Sequence, residues 1–588
     1  MKKSKFNKAA LMHSTKQNYC FGINKYSFKI RVRFDKKDDI KNVFAIYGSL
    51  DFYKNQYKKP LEVELIDEFY KYYTGIISYH DPRISYVILI ELKDGSAYYF
   101  SEEGLSINYD FSYYFYSSFT LSYLNEIDII QNNKVFNGNI FYQIFPERFC
   151  LGDNSKDKSY INRDWYSLSL KGSNNNCIQD TFIGGDLTGI IKKLDYIKDL
   201  GVNTIYMTPI YKSSTNHKYD VEDYFDIDPM FGNKKIFKTL VDEAHKRNMN
   251  VVLDLVFNHS SDLNPLFLDV KEKGKNSKYY DYYMVHGETV NSDPINYETF
   301  GPDVKNMPKL NSNNFLEMDY FVEVGKYYIE KFNVDGYRLD VANEVSHTFW
   351  QNFKLNLRKI KPDIILIGEC WNDASNFISR NEFESVMNYP FLLVSKKFFI
   401  DNLYTPETFA FKLNSLLARY CDNTNKMMLN LLDSHDVERY FNFVKGDFDL
   451  YFLSFVTLIV YPGWPMIYYG DEIFMEGGRD PDNRRGMVWS SSYFKSEKHT
   501  FFKNILLLRQ KYSSLKDGET KIYSKNDLVY IERFNDKEKV TLILNHSGTS
   551  KNILINKKSI VMSNLYSNNK LQNNGFVVKK TRVKNNII

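Results

Sequence analysis

The chain has 588 residues, and at roughly 100–200 residues per domain this length predicts several domains. Its 77 Lys+Arg against 72 Asp+Glu leave a net charge of +5, too small for a dedicated nucleic-acid-binding chain, so no nucleic-acid partner is expected. Hydrophobic residues at 43% and charged residues at 25% are ordinary globular values, while 47 Tyr and 45 Phe offer surface for core packing or for stacking on sugar-like ligands.

The basic N-terminus carries only Ala9–Met12 as an apolar stretch, against the about 7–15 residues of a secretory core. No run approaches the ~18 apolar residues of a membrane span. A soluble cytoplasmic protein without a membrane partner is expected. The cysteines Cys20, Cys150, Cys177, Cys370 and Cys421 are odd in number, widely spaced and free of any CxxC pair. That pattern argues against a disulfide framework or a cysteine-based zinc site.

Tyr26–Phe34 and Tyr86–Leu92 are short, β-branched or aromatic runs, separated by turn-prone stretches such as Lys93–Ser96. They predict an N-terminal β-sandwich over 1–133. From Asn139 onward apolar strand-like runs alternate with helical periodicity. The runs are Ile140–Phe145, Thr204–Met207, Val251–Phe257, Gly336–Val341, Ile364–Gly368, Ser385–Tyr389, Met428–Leu432 and Pro465–Tyr469. Ile190, Leu194 and Ile197 form one helical stripe, with Gly201 placed to end it; Ile236/Phe237, Leu240/Val241 and Ala244 form another.

Eight such strands with crossover helices predict an α/β fold, a (β/α)8 TIM barrel over 134–516. An open doubly wound sheet would carry a glycine-rich loop after its first strand. Pro146–Phe149 is no such loop. The over fifty residues between Phe257 and Phe315 are too many for a plain loop, so a small inserted domain is expected at about 260–312. Short strands return in Leu528–Ile531 and Val540–Leu544, predicting a C-terminal β-sandwich over 517–588.

Chemistry in such a barrel belongs to the C-terminal strand ends. Strand three ends in Asn258-His259, strand four in Arg338-Leu339-Asp340, strand five in Gly368-Glu369 and strand seven in Asp433-Ser434-His435-Asp436. Carboxylates, imidazoles and a guanidinium therefore gather on one rim. Glycoside hydrolysis needs two carboxyl groups flanking the scissile bond. Arg338 and Asp340 share one side of their strand, so the cation is expected to favour an ionised, nucleophilic Asp340. Glu369, as the acid, has to hold a proton near neutrality. A catalytic metal on His259, His435, Asp340 and Asp436 is the competing reading, and Arg338 among those ligands argues against it.

Four blocks in chain order resemble the α-amylase family, glycoside hydrolase family 13. They are Asp254–His259, Gly336–Val345, Gly368–Ala374 and Leu431–Arg439. Met307–Asn311 (MPKLN), Val341–Glu344 (VANE) and Phe141–Phe149 resemble the neopullulanase, cyclomaltodextrinase and maltogenic amylase subgroup.

The resemblance implies Asp340 as nucleophile, Glu369 as acid/base and Asp436 as transition-state stabiliser. It implies that Arg338, His259 and His435 bind the reacting sugar. His217 and Tyr219, in Asn216–Asp220, would hydrogen-bond and stack on it. Trp371 would line the acceptor side, and Asp480 and Arg484 would bind sugars further along the chain or form a surface salt bridge. The subgroup's calcium loop is matched only by Asp153, Asp157, Gly184 and Asp186, with Leu151 and Lys156 in place of two Asn ligands. Calcium is thus a degraded match and no cofactor is required.

The implied activity is a retaining hydrolase of α-1,4 bonds in maltooligosaccharides, cyclodextrins, pullulan or starch, with some α-1,6 cleavage or transglycosylation. A glucan transglycosylase, or a silent glycan-binding protein on the same scaffold, is the alternative. The N-terminal module implies a homodimer.

Overall fold

The computed structural model describes residues 3–583 except 17, 50–53, 122, 153–158, 162–163, 166–180, 303 and 379. By internal packing the chain divides into two compact units. One comprises Met1–Asn132, Asp401–Lys426 and Glu519–Ile588; the other comprises Asn133–Ile400 and Met427–Gly518.

In the first unit, strands Cys20–Asn24, Ser27–Asp35, Tyr70–Ser78 and Tyr57–Ile66 form one antiparallel layer. Ile40–Gly48 pairs with Tyr57–Ile66 and carries the same nine-stranded sheet on through Ile84–Leu92, Ala97–Ser101 and Gly104–Ser106, with Phe119–Leu121 added beside Ile84–Leu92. Phe28, Ile30, Val32 and Phe34 alternate along one strand, and Tyr86, Ile88, Ile90 and Leu92 along another. This period of two delivers both sets to a single core.

The C-terminal strands, from Glu519–Lys525 to Lys570–Arg582, pair antiparallel in a six-stranded sheet. Helix Pro406–Ala418 also belongs to this unit. Its Asn414 amide donates to the carbonyls of Ile66 (2.8 Å) and Ile522 (3.0 Å), tying both sheets to one helix. The sequence reading assigns 401–426 to the barrel. The helix turns its apolar face to strands Tyr57–Ile66, Glu519–Lys525 and Leu528–Phe534 instead.

The second unit holds the barrel strands β1 (Phe141–Ile144), β2 (Thr204–Met207), β3 (Asn250–Val256), β4 (Gly336–Asp340), β5 (Ile365–Gly368), β6 (Ser385–Val386), β7 (Leu429–Asn430) and β8 (Trp464–Tyr468). Their spatial order is β6-β5-β4-β3-β2-β1-β8-β7, and every pairing is parallel. A parallel bridge between Met387 and Leu429 joins the two ends into a ring. Strands buried on both faces need apolar residues at nearly every position, which is why each reads as a continuous run.

The helical stripes fall as their spacing requires. Helix Leu187–Asp199 buries Ile190, Leu194 and Ile197, starts on an Asp186 cap and is followed by Gly201 at φ 89°. Helix Lys234–Lys246 buries Phe237, Leu240, Val241 and Ala244. The insertion after β3 contains helix Pro265–Lys273 and short bridges Tyr283–Leu310, Val285–Tyr297 and Thr299–Pro308. A further bridge, His259–Lys309, lays the MPKLN segment against the end of β3.

Candidate active site

Register builds the centre of the site. β3 and β4 pair Asp254 with Arg338 and Val256 with Asp340. Alternation puts Asp254, Arg338 and Asp340 on the barrel's inner side. Glu369 follows β5, its N–H bonded to the Leu339 carbonyl at 2.9 Å. Asp436 lies beyond β7.

The buried Arg338 guanidinium is the hub. Its Nη1 donates to Asp254 Oδ1 (2.9 Å) and Oδ2 (3.0 Å) and to Asp340 Oδ1 (2.7 Å). Its Nη2 lies 3.0 Å from Glu369 Oε2 and 3.9 Å from Asp436 Oδ2. Four carboxylates thus lie around one guanidinium, with Arg484 3.6 Å from Asp436 as a second cation at the edge. Burial pushes Asp254 up to about 6, against the pull of Arg338. Asp340 is also pushed up, chiefly by burial; Arg338 opposes the rise and Glu369 and Asp254 add to it. Arg338 favours the ionised form of Asp340, as expected from their spacing, and desolvation with two neighbouring carboxylates works against it.

The histidines are neutral. Burial lowers His259 to about 3 and drives His217 and His435 well below the usual range. Gln143 on β1 donates to His435 Nδ1 at 2.8 Å, which leaves the ring proton on Nε2. Nε2 meets the Tyr219 hydroxyl at 2.6 Å, and that hydroxyl donates to Asp254 Oδ2 at 3.0 Å. His259 Nε2 is buried without a protein partner.

A cavity of about 710 Å3 opens above the hub. Asp340, Glu369, Asp436, His217, Tyr219, His259, Trp371, Asp480 and Arg484 line it. Arg338 and His435 do not; they lie behind the lining and brace Asp340, Glu369 and Tyr219. Arg484 pairs with Asp480 at 3.1 Å and also approaches Asp436 Oδ1 at 3.6 Å. Asp480 and Arg484 are therefore an ion pair on the cavity wall.

Of the calcium candidates, Asp153 and Asp157 lie outside the described residues. Asp186 Oδ1 accepts the Gly189 N–H at 2.7 Å as a helix cap. The Lys192 ammonium donates to the Gly152 carbonyl at 2.5 Å, placing a cation beside the loop. The described part of this loop does not present the six to eight oxygens calcium takes.

The catalytic-domain model of alpha amylase matches residues 143–531, and the alpha amylase N-terminal ig-like domain matches residues 6–125. The chain belongs to the α-amylase family. It is 36% identical over 557 residues to the maltogenic alpha-amylase of Bacillus acidopullulyticus, covering 92% of each chain. It is 34% identical over 560 residues to neopullulanase 2 of Thermoactinomyces vulgaris, covering 93% of this chain and 92% of that one. A solved cyclomaltodextrinase superposes with a TM-score of 0.86 at 31% identity, covering 98% of both chains.

The α-amylase-family site holds residues that motif reading passed over. Arg148, Phe300, Met307 and Pro481 line the cavity, Phe300 with its ring centroid 4.8 Å from that of His259. Asp254 is legible in hindsight as a lone carboxylate inside the apolar run Val251–Phe257. Gln143 and Tyr389 carry no such signal; only the fold brings them to His435 and Asp436.

Proposed function

We propose that this α-amylase-family hydrolase is a retaining glycosidase acting on α-1,4-glucosidic bonds in maltooligosaccharides, cyclodextrins, pullulan or starch. The observation that carries the reading is the convergence of Asp340, Glu369 and Asp436 on one guanidinium at a cavity floor. Carboxylates bound by neighbouring nitrogens of one cation suit the short separation, about 5–5.5 Å, of retaining enzymes. Asp340 attacks the anomeric carbon while Glu369 gives its proton to the departing oxygen. Glu369, now a carboxylate, takes a proton from water, and the resulting hydroxide displaces Asp340. Asp436 offsets positive charge on the ring, and neutral His217 and His259 exchange hydrogen bonds with sugar hydroxyls.

Asp340→Asn is expected to lower turnover by about 10^4-fold or more while oligosaccharide binding, read by calorimetry, persists. Hydrolysis at the native rate by that variant would remove the assignment. A time-resolved product profile on β-cyclodextrin, pullulan and soluble starch, with and without a chelator, ranks the substrates. We further read the turnover as independent of metal, which chelator-insensitive rates would support.

Four thiols, Cys20, Cys150, Cys370 and Cys421, are free and buried, which supports a reducing, cytoplasmic setting. Among the described residues no helix is long and apolar enough to cross a membrane. Tyr113, Phe115 and Tyr116, exposed on the N-terminal module, support a homodimer.

A further inference from the structure

Glu369 has two unlike oxygens. Oε2 accepts the Val341 N–H at 2.9 Å and lies 3.0 Å from Arg338 Nη2. Oε2 thus takes one N–H bond and lies beside the guanidinium charge, which disfavours a proton on that oxygen. The transferable proton is therefore on Oε1, whose protein partner is the indole N–H of Trp371 at 3.1 Å.

That indole is held from one face only. Trp371 is 47% exposed, but its ring lies flat on Tyr389, with centroids 3.9 Å apart and planes 3° from parallel. Tyr389 is buried, and its hydroxyl lies 3.4 Å from Asp436 Oδ2. Its own placement is firm: the preceding Asn388 caps the helix Tyr389–Phe399 and donates to Asn430 Oδ1 across the seam between β6 and β7.

Resting on the retaining-glycosidase reading above, we propose that Glu369 transfers its proton through Oε1, and that the Trp371 indole N–H, positioned by Tyr389, alternates with the leaving-group oxygen at that atom. When a sugar fills the acceptor side, its glycosidic oxygen takes the place of the indole N–H at Oε1 and receives the proton as the C–O bond breaks. When the leaving group departs, the indole returns and donates to Oε1 of the new carboxylate, stabilising the charge until water gives up its proton there. The indole hydrogen stays on nitrogen throughout. Trp371 and Tyr389 are thus positioning residues. The other groups facing Glu369 are Arg338 and Asp340 from β4, His435 and, through the shared guanidinium, Asp436 from the β7 loop, with Cys370 and Tyr389 beside it.

The test uses the full chain with two substrates: maltotetraose, whose leaving group needs a proton, and α-maltosyl fluoride, whose leaving group does not. Glu369→Gln serves as reference and is expected to lose maltotetraose turnover while keeping a first-turnover burst of fluoride, with later turnovers stalled for want of the base. If that variant kept maltotetraose turnover, the reading of the site would fail, independently of this inference. Trp371→Phe keeps the ring and removes only the N–H. It is expected to move the alkaline limb of the kcat/KM profile for maltotetraose up by about one pH unit, the effect of losing one donor to a carboxylate. Its first-turnover fluoride release is expected to fall by less than its maltotetraose turnover. Tyr389→Ala, which frees the indole, is expected to move the same limb, and Tyr389→Phe to leave its midpoint in place. An unmoved limb in Trp371→Phe, or equal losses on both substrates, overturns the proposal. A moved limb in Trp371→Phe with none in Tyr389→Ala overturns the part assigned to the stack.

Discussion

At the scale of single residues, the site is a problem of excess negative charge solved by one buried guanidinium and neutral hydrogen-bonding partners. The Tyr219 hydroxyl illustrates the second device, linking His435 Nε2 to Asp254 Oδ2. Tyr219→Phe would keep the ring on the cavity wall and leave two buried polar atoms without that partner. Chemical denaturation should show a loss of about 1–3 kcal/mol; an unchanged midpoint and slope would mean the bridge contributes nothing. Asp340, Glu369, His259 and Asp436 were legible in the sequence because each sits at the end of an apolar strand, where a polar group has a reason to be. Arg338 and His435 were legible as members of the cluster but not in their placement. Whether a side chain on the inner face reaches the cavity or lies beneath it depends on neighbouring strands.

At the scale of elements, β7 and β8 each lead into a buried carboxylate, Asp433 and Asp471. Asp433 accepts the Tyr440 N–H at 2.7 Å and Asp471 the Tyr468 N–H at 3.0 Å, with Arg439 3.8 Å from Asp471. Burial pushes Asp433 up to about 6, and burial with the Asp433 charge pushes Asp471 further. The fold thus holds a proton that the unfolded chain would release. Stability from this pair is complete below the ordinary carboxylate range, ~4, and is lost as pH rises through the folded values. Asp471→Asn keeps an acceptor for the Tyr468 N–H without the charge. Its melting temperature should therefore gain on the parent as pH goes from 5 to 8, and a difference flat across that range would show that the pair does not titrate with folding. The eight strands were readable because parallel strands are apolar throughout. The brevity of β6 and β7, two residues each, was not, since flanking apolar residues extend the same run into a helix or loop.

At the scale of the molecule, changes in periodicity marked the N-terminal β-module, the barrel and the C-terminal strands, the last expected as a sandwich and found as one six-stranded sheet. The excursion at 401–426 could not, because an amphipathic helix reads the same whichever sheet it covers. Self-association belongs to this scale as well. Tyr113, Phe115 and Tyr116 are 64%, 71% and 83% exposed, more than isolated aromatic residues usually are. Sedimentation velocity should find a dimer, converted to monomer by Phe115→Asp with Tyr116→Asp. A parent that sediments as a monomer at micromolar concentration would rule the dimer out.

The excursion also sets a timetable for synthesis. Helix Pro406–Ala418 leaves the ribosome after the first sandwich, yet two of the strands that cover its apolar face begin only at Glu519. The barrel likewise cannot close until β7 and β8 have emerged on the far side of that helix. Phe409, Leu413, Leu416 and Leu417 must therefore wait, apolar and only partly covered, while the last two barrel strands and their helices are made. A chain stopped at Gly518 would carry all four carboxylates around Arg338 and still be left with that helix face open to water.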